Sequence, residues 1–164
     1  MVSRDVAGCR ESVDARARAA VWYDQHMYQV DIAAAVRESD AFRRVLHTAG
    51  HMQLVAMTLE PGEDIGVEAH EHIDQVLVFV DGTVRAEVGG DTREVGPGYV
   101  VVVPAGTQHN FTNVSTEPAR LYTIYSPPDH AQDTVHLTKV DAEHDEDDVP
   151  PPEHDQFSSA RKVP

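Results

Sequence analysis

Three histidines occupy positions from which imidazole chemistry is easily organised. His70 and His72 are two residues apart, and His109 follows the turn-forming segment Pro104-Ala105-Gly106-Thr107-Gln108. If the chain is extended at 70–72, residues two apart face the same side, so His70 and His72 present two imidazoles to one point while Glu71 faces away. A third imidazole from His109, brought opposite by a closed sheet, would complete one face of a divalent ion at about 2.0 to 2.2 Å and leave coordination positions open. An ion held this way acts as a Lewis acid or as an oxygen-activating centre. The competing reading makes the same histidines ordinary polar residues at a barrel mouth.

Positioning them requires a closed arrangement of short strands, and the sequence supplies the pattern for one. Apolar residues come as short Val/Ile/Leu runs between Gly, Pro and Asp. Strands are expected at 42–47 and 52–59, with Gly50 turning between them, then at 92–95, 99–103, 109–113 and 119–125. The runs at 76–80 and 84–88, ended by Asp81-Gly82 and Gly89-Gly90, read as the two strands of a hairpin. Short strands at regular spacing indicate an all-β sandwich or barrel. The run Val100-Val101-Val102-Val103 is apolar on both faces, so its outer face needs cover from a second sheet or another subunit. Segment 31–37 fits a short helix with Asp31 at its start.

Two blocks resemble the signature motifs of the cupin superfamily. The second runs Gly98, five residues, Pro104, one residue, Gly106, two residues, His109, three residues, Asn113, and matches throughout. The first matches at His70, His72 and Gly82. It departs at Asp64, where the family has a glycine that Gly62 and Gly66 flank here, and at Gln75, which stands at the family's spacing for a ligating glutamate, seven residues before Gly82. The wider run from Phe42-Arg43-Arg44-Val45-Leu46 to Thr134-Val135-His136, with its Asp74-Gln75 pair, resembles small bacterial single-domain cupins of the group labelled cupin domain or mannose-6-phosphate isomerase-like proteins. The resemblance implies a double-stranded β-helix, or jelly-roll barrel, with a short N-terminal helical segment. It also implies one divalent metal, Fe, Mn, Ni or Zn, on His70, His72, His109 and Gln75. A neutral amide at Gln75 would bind the ion weakly and leave it a stronger Lewis acid; the alternative role for Gln75 is a hydrogen bond that orients a ligand histidine.

The rest of the sequence bounds the partners. The net charge of −15 lacks the clustered Lys and Arg that phosphate neutralisation needs, which argues against nucleic acid and anionic membrane surfaces. Cys9 is the sole cysteine, so no disulfide forms within the chain, and a cytoplasmic setting is expected. Three parts are expected: an N-terminal extension over 1–28, loose or briefly helical; a barrel over 29–140; and an acidic tail with Pro150-Pro151-Pro152 over 141–164, too poor in apolar residues to fold. A small-molecule ligand and a homodimer are the expected partners. A metal-dependent dioxygenase or sugar-type isomerase, and a non-catalytic sensor cupin, all fit these residues. Glu71 and Asp74 read as solvated carboxylates, and His47, His51, His130 and His136 as surface or core residues outside the site.

Overall fold

The computed structural model describes residues 27–146, so most of the N-terminal extension and the tail beyond 146 lie outside the described residues. The described chain begins with α1 (Ile32–Arg37), continues through β1 (Arg43–Thr48), β2 (Gln53–Leu59), β3 (Asp74–Asp81), β4 (Val84–Val88), β5 (Asp91–Val95), β6 (Val100–Val103), β7 (His109–Asn113), β8 (Ala119–Ser126) and β9 (Val135–His136), and ends in α2 (Lys139–Glu146). Two sheets carry the fold. One has the order β6-β3-β8-β2-β1-β9 and the other β5-β4-β7, extended beyond β7 by bridges from Asp64 to Thr112 and from Glu68 to His109. This is the jelly-roll arrangement of a double-stranded β-helix.

Alternation along the strands decides what fills the space between the sheets. Leu77 and Phe79 on β3, Val55, Met57 and Leu59 on β2 and Leu121 on β8 meet Val84 and Ala86 on β4 and Phe111 on β7 in one continuous core. Phe79 and Phe111 join the sheets directly, their ring centroids 5.9 Å apart. Gln75, Thr123 and Tyr125 continue the same inward rows toward one end of the barrel, so there the interior turns polar.

The expected hairpin between 76–80 and 84–88 does not form. β3 and β4 belong to different sheets, and the chain crosses between them at Asp81-Gly82-Thr83. Gly82 has a φ of +82°, and a Cβ there would lie 2.7 Å from the Ala119 backbone, so this crossing is a close-packed corner rather than a free turn. The hairpin is instead β4–β5, where Gly89 and Gly90 at φ +58° and +91° link Val88 to its partner Asp91. A two-residue loop with both φ values positive matches the right-handed twist of the strands it joins.

The helices cover what the sheets leave open. Asp31 caps α1 by accepting from the Ala34 N–H at 3.1 Å, and Val36 is buried where α1 packs on β2 and β8. α2 reaches six residues into the stretch expected to remain unfolded. Its start is a reciprocal cap: the Thr138 N–H donates to the Asp141 carboxylate at 2.9 Å and the Asp141 N–H to the Thr138 hydroxyl at 3.2 Å. Such a cap, with Ala142 buried and Lys139 ion-paired to Asp64, offsets the low apolar content of this helix. Among the described residues no helix is long and apolar enough to cross a membrane.

Gly82→Ala tests the corner. Positive φ and a clash with backbone act together, so the variant should lose roughly 2 to 4 kcal/mol of stability, read from urea midpoints against wild type.

Candidate metal centre

The segment before β3 adds itself to β7. Glu68 and His109 exchange backbone hydrogen bonds of 3.0 and 2.9 Å, which makes them direct cross-strand neighbours with side chains on the same face. Two residues along, His70 shares that face, and its carbonyl accepts from the Gly106 N–H at 2.8 Å. The turn Pro104-Ala105-Gly106-Thr107 aims β7 back into the barrel as its residue types suggest, with Gly106 at a φ of +76°. Asp74 steadies the turn by accepting from the Ala105 N–H at 2.9 Å.

These constraints bring Glu68, His70 and His109 together, each offering one donor atom, with all three donors within 4.8 Å of one another. Glu68 Oε1 lies 3.3 Å from Nε2 of His70 and 3.3 Å from Nε2 of His109. All three atoms are buried, and none makes a hydrogen bond. At His109 the reason is legible. Its Nδ1 faces the Thr107 carbonyl at 2.8 Å, and a carbonyl only accepts, so Nδ1 holds a proton. In the neutral ring Nε2 then directs a lone pair at the carboxylate, and only a second proton or a metal ion on Nε2 makes that contact favourable. Lone pair facing carboxylate is repulsive unless a cation stands between them. Three orphaned donors converging on one point therefore fit a divalent ion, with a donor set of two imidazoles and one carboxylate.

The electrostatics agree. Burial pushes the Glu68 carboxyl up, but His109 and His70 beside it, together with the charge of the buried Arg43, outweigh that and hold it at about 2. Burial pulls His70 down, yet the adjoining Glu68 and the charge of Asp129 prevail and raise it above the ordinary imidazole value. His130 is pushed down to about 3 by burial first and then by the charge of Arg43, so its ring is neutral.

The four residues singled out in the sequence are thus distributed unevenly. His70 and His109 lie in the cluster. His72 does not: residues 71 and 72 form a turn before β3, which ends the two-residue alternation, and the His72 side chain is 76% exposed beside Glu71. Gln75 is 1% exposed, donates to the Thr123 hydroxyl at 3.1 Å and keeps its Oε1 buried without a hydrogen bond. Glu68 escaped the sequence reading although a signal existed. Aligned two residues earlier, Gly62 stands six residues before Glu68, Glu68 and His70 take the paired positions, and Gln75 keeps its place before Gly82. Arg43, Tyr125, Asp129 and His130, which surround the cluster, come from strands and loops far away in sequence and carry no local motif. The Tyr125 ring packs edge-on to His70 and His130 at 5.7 and 5.0 Å.

Comparison with known proteins places the fold. A family model described as the cupin domain matches residues 55–125. The chain is 40% identical over 126 residues to the uncharacterised Bacillus subtilis protein YrkC, covering 73% of this chain and 68% of that one.

The chain belongs to the cupin family.

Its fold is similar to a Bacillus halodurans crystal structure at a TM-score of 0.72 and 38% identity, covering 74% of this chain and 96% of that one. A mimivirus protein, L612, is 43% identical over 108 residues, covering 63% of this cupin and 68% of its own length. In this cupin Glu68 joins His70 and His109 in the cluster, where the sequence had pointed to His72.

With the ion stripped by chelator, two opposing trends should appear. Glu68 is depressed from 4.5 to about 2, so its contribution to stability is complete above pH 4.5 and is lost as pH falls through about 2; His70 is raised, so its contribution is complete below 6.5 and is lost as pH rises through its raised value. His130, depressed from 6.5 to about 3, adds a contribution that is complete above 6.5 and is lost as pH falls toward 3. Urea midpoints of the metal-free protein should therefore climb from acid to a maximum near pH 6.5, and Glu68→Gln should flatten the acid limb.

Proposed function

We propose that this cupin is a metal-dependent enzyme of the oxygenase type, acting on a small polar metabolite with one divalent ion on Glu68, His70 and His109. The observation that carries the reading is the donor set: two buried imidazoles and one buried carboxylate, all three donor atoms without other partners. Two histidines and a carboxylate on one face of an ion, with positions left open, is the arrangement that suits Fe(II) in oxygen chemistry. When bound, the ion would supply Lewis acidity and a site for oxygen activation.

The remaining interior supports a polar ligand. Gln75 Oε1 and His130 Nε2 are buried acceptors or donors with no hydrogen-bond partner, and Thr123, Tyr125 and Arg43 share the same buried end of the barrel. Groups so placed are costly to leave unsatisfied, on the order of 1 to 3 kcal/mol each, and a ligand bearing hydroxyl or carboxylate groups would satisfy them. The amide of Gln75 then serves as a ligand contact or as a weak fourth donor to the ion.

Metal content decides the first part. Elemental analysis of protein purified without added metal should give one ion per chain; Glu68→Ala, His70→Ala and His109→Ala should each abolish uptake, and His72→Ala should leave it unchanged. Gln75→Glu should tighten and Gln75→Ala weaken binding if the amide ligates; equal affinity in all three assigns Gln75 to the ligand. Oxygen consumption by the Fe(II)-loaded protein across a panel of hydroxy acids and sugars tests the reaction, and tight binding without turnover under any metal would point to a sensor instead.

A second copy of the chain is the expected partner of the open sheet face. β6 is an edge strand, and Val100 and Val102 on its outer side are 56% and 60% exposed, continuous with the outward Val76 and Val78 of β3. An uncovered apolar edge of this kind invites pairing. Light scattering should report a dimer, and Val102→Asp should convert it to monomer without changing metal uptake.

A further inference from the structure

We infer that Asp129 is the positioning residue of the metal centre, the carboxylate that fixes the proton of His70 on the side away from the ion. The inference rests on the metal reading proposed above.

His70 lies between two carboxylates. Its Nε2 faces Glu68 Oε1 at 3.3 Å and its Nδ1 faces Asp129 Oδ2 at 3.4 Å. A neutral imidazole has one proton, and the two carboxylates compete for it. With the proton on Nε2, His70 satisfies Glu68 and the pair closes on itself, removing two of the three donors. With the proton on Nδ1, the Nε2 lone pair is released toward the cluster. Asp129 favours the second state, and it does for His70 what the Thr107 carbonyl does for His109 at 2.8 Å. A ligating histidine whose other nitrogen donates to a carboxylate or carbonyl is oriented and made more basic, and loss of such a partner costs about 10- to 100-fold in metal affinity.

The path of the chain around Asp129 is built for this placement. Asp129 belongs to the loop between β8 and β9, and its neighbour His130 is clamped at both backbone groups by the side chain of Gln53. The Gln53 amide donates to the His130 carbonyl at 2.8 Å, and its oxygen accepts from the His130 N–H at 3.0 Å. Gln53 is fully buried and held in turn by the Thr48 hydroxyl at 2.8 Å, and the Ser126 hydroxyl fastens the start of the loop to the His51 carbonyl at 2.9 Å. A loop that owed its shape to solvent alone would not need a buried amide from β2 to hold one residue. The clamp sets Asp129 over His70 and leaves the His130 ring against Tyr125.

The test uses the full chain stripped of metal, titrated with Zn(II) against a competing chelator and, separately, with Co(II) read by its visible spectrum. Asp129→Asn should bind Zn(II) about 10- to 100-fold more weakly and shift the Co(II) bands. Asp129→Glu should recover part of that loss, and the melting temperature of each metal-free variant should match wild type. Wild-type affinity in Asp129→Asn overturns the inference, as does an equal loss in Asn and Glu variants accompanied by a lower metal-free melting temperature, which would make the residue a loop support. If the wild-type chain takes up no ion, the metal reading itself falls, and this inference with it.

Discussion

A carboxylate buried between two imidazoles is the interaction on which the functional end of this barrel depends. Removing Glu68 from water disfavours its charge, and only neighbouring positive charge or donors can reverse that preference. Here His70, His109 and Arg43 do so strongly enough to keep the carboxyl ionised far below its ordinary range. The protein therefore maintains a buried carboxylate at the polar end of the jelly roll, and the surrounding strands must supply whatever compensates it.

The backbone solves the placement with few degrees of freedom. Glu68 and His109 are locked opposite each other by two backbone hydrogen bonds, and His70 follows Glu68 on the same face. Asp74 and the His70 carbonyl both hold the turn before β7, so the first and second motifs are mechanically joined as well as chemically related. The core of Phe79, Phe111, Leu77 and Leu121 then keeps the two sheets at fixed separation beneath the polar end.

Much of this was legible in the sequence, and the failures have physical causes. Strand positions followed from short apolar runs with glycine punctuation, and the Pro104–Gly106 turn and His109 followed from motif spacing. The pairing of β3 with β4 was misread because a Gly-containing turn between two apolar runs looks the same whether the chain folds back in one sheet or crosses to another; only the packing of Gly82 on Ala119 separates the cases. His72 was expected on a strand, but the segment before β3 pairs with β7 only through the Glu68–His109 bridge and turns at 71–72, and nothing at Glu71 announces that turn. Apart from its spacing to Gly62, Glu68 has no signal of its own in the sequence, because a lone carboxylate at the same alternation as a histidine looks like any solvent-facing acid. The start of α2 was missed although Thr138 and Asp141 carry the spacing of a reciprocal cap. Arg43, Asp129 and His130 reach the site through tertiary contacts, which no local pattern encodes.

The backbone bridge between residues 68 and 109 has a thermodynamic consequence. Because two of the three donors are aligned by main-chain bonds that exist without any ion, little ordering remains to be done at the moment of uptake. The free energy of coordination is then spent on the ion rather than on assembling the polypeptide, in contrast to small domains that collapse only around their metal. Such a barrel can exchange one cation for another while keeping its shape, so its occupant is governed by supply and donor chemistry rather than by folding.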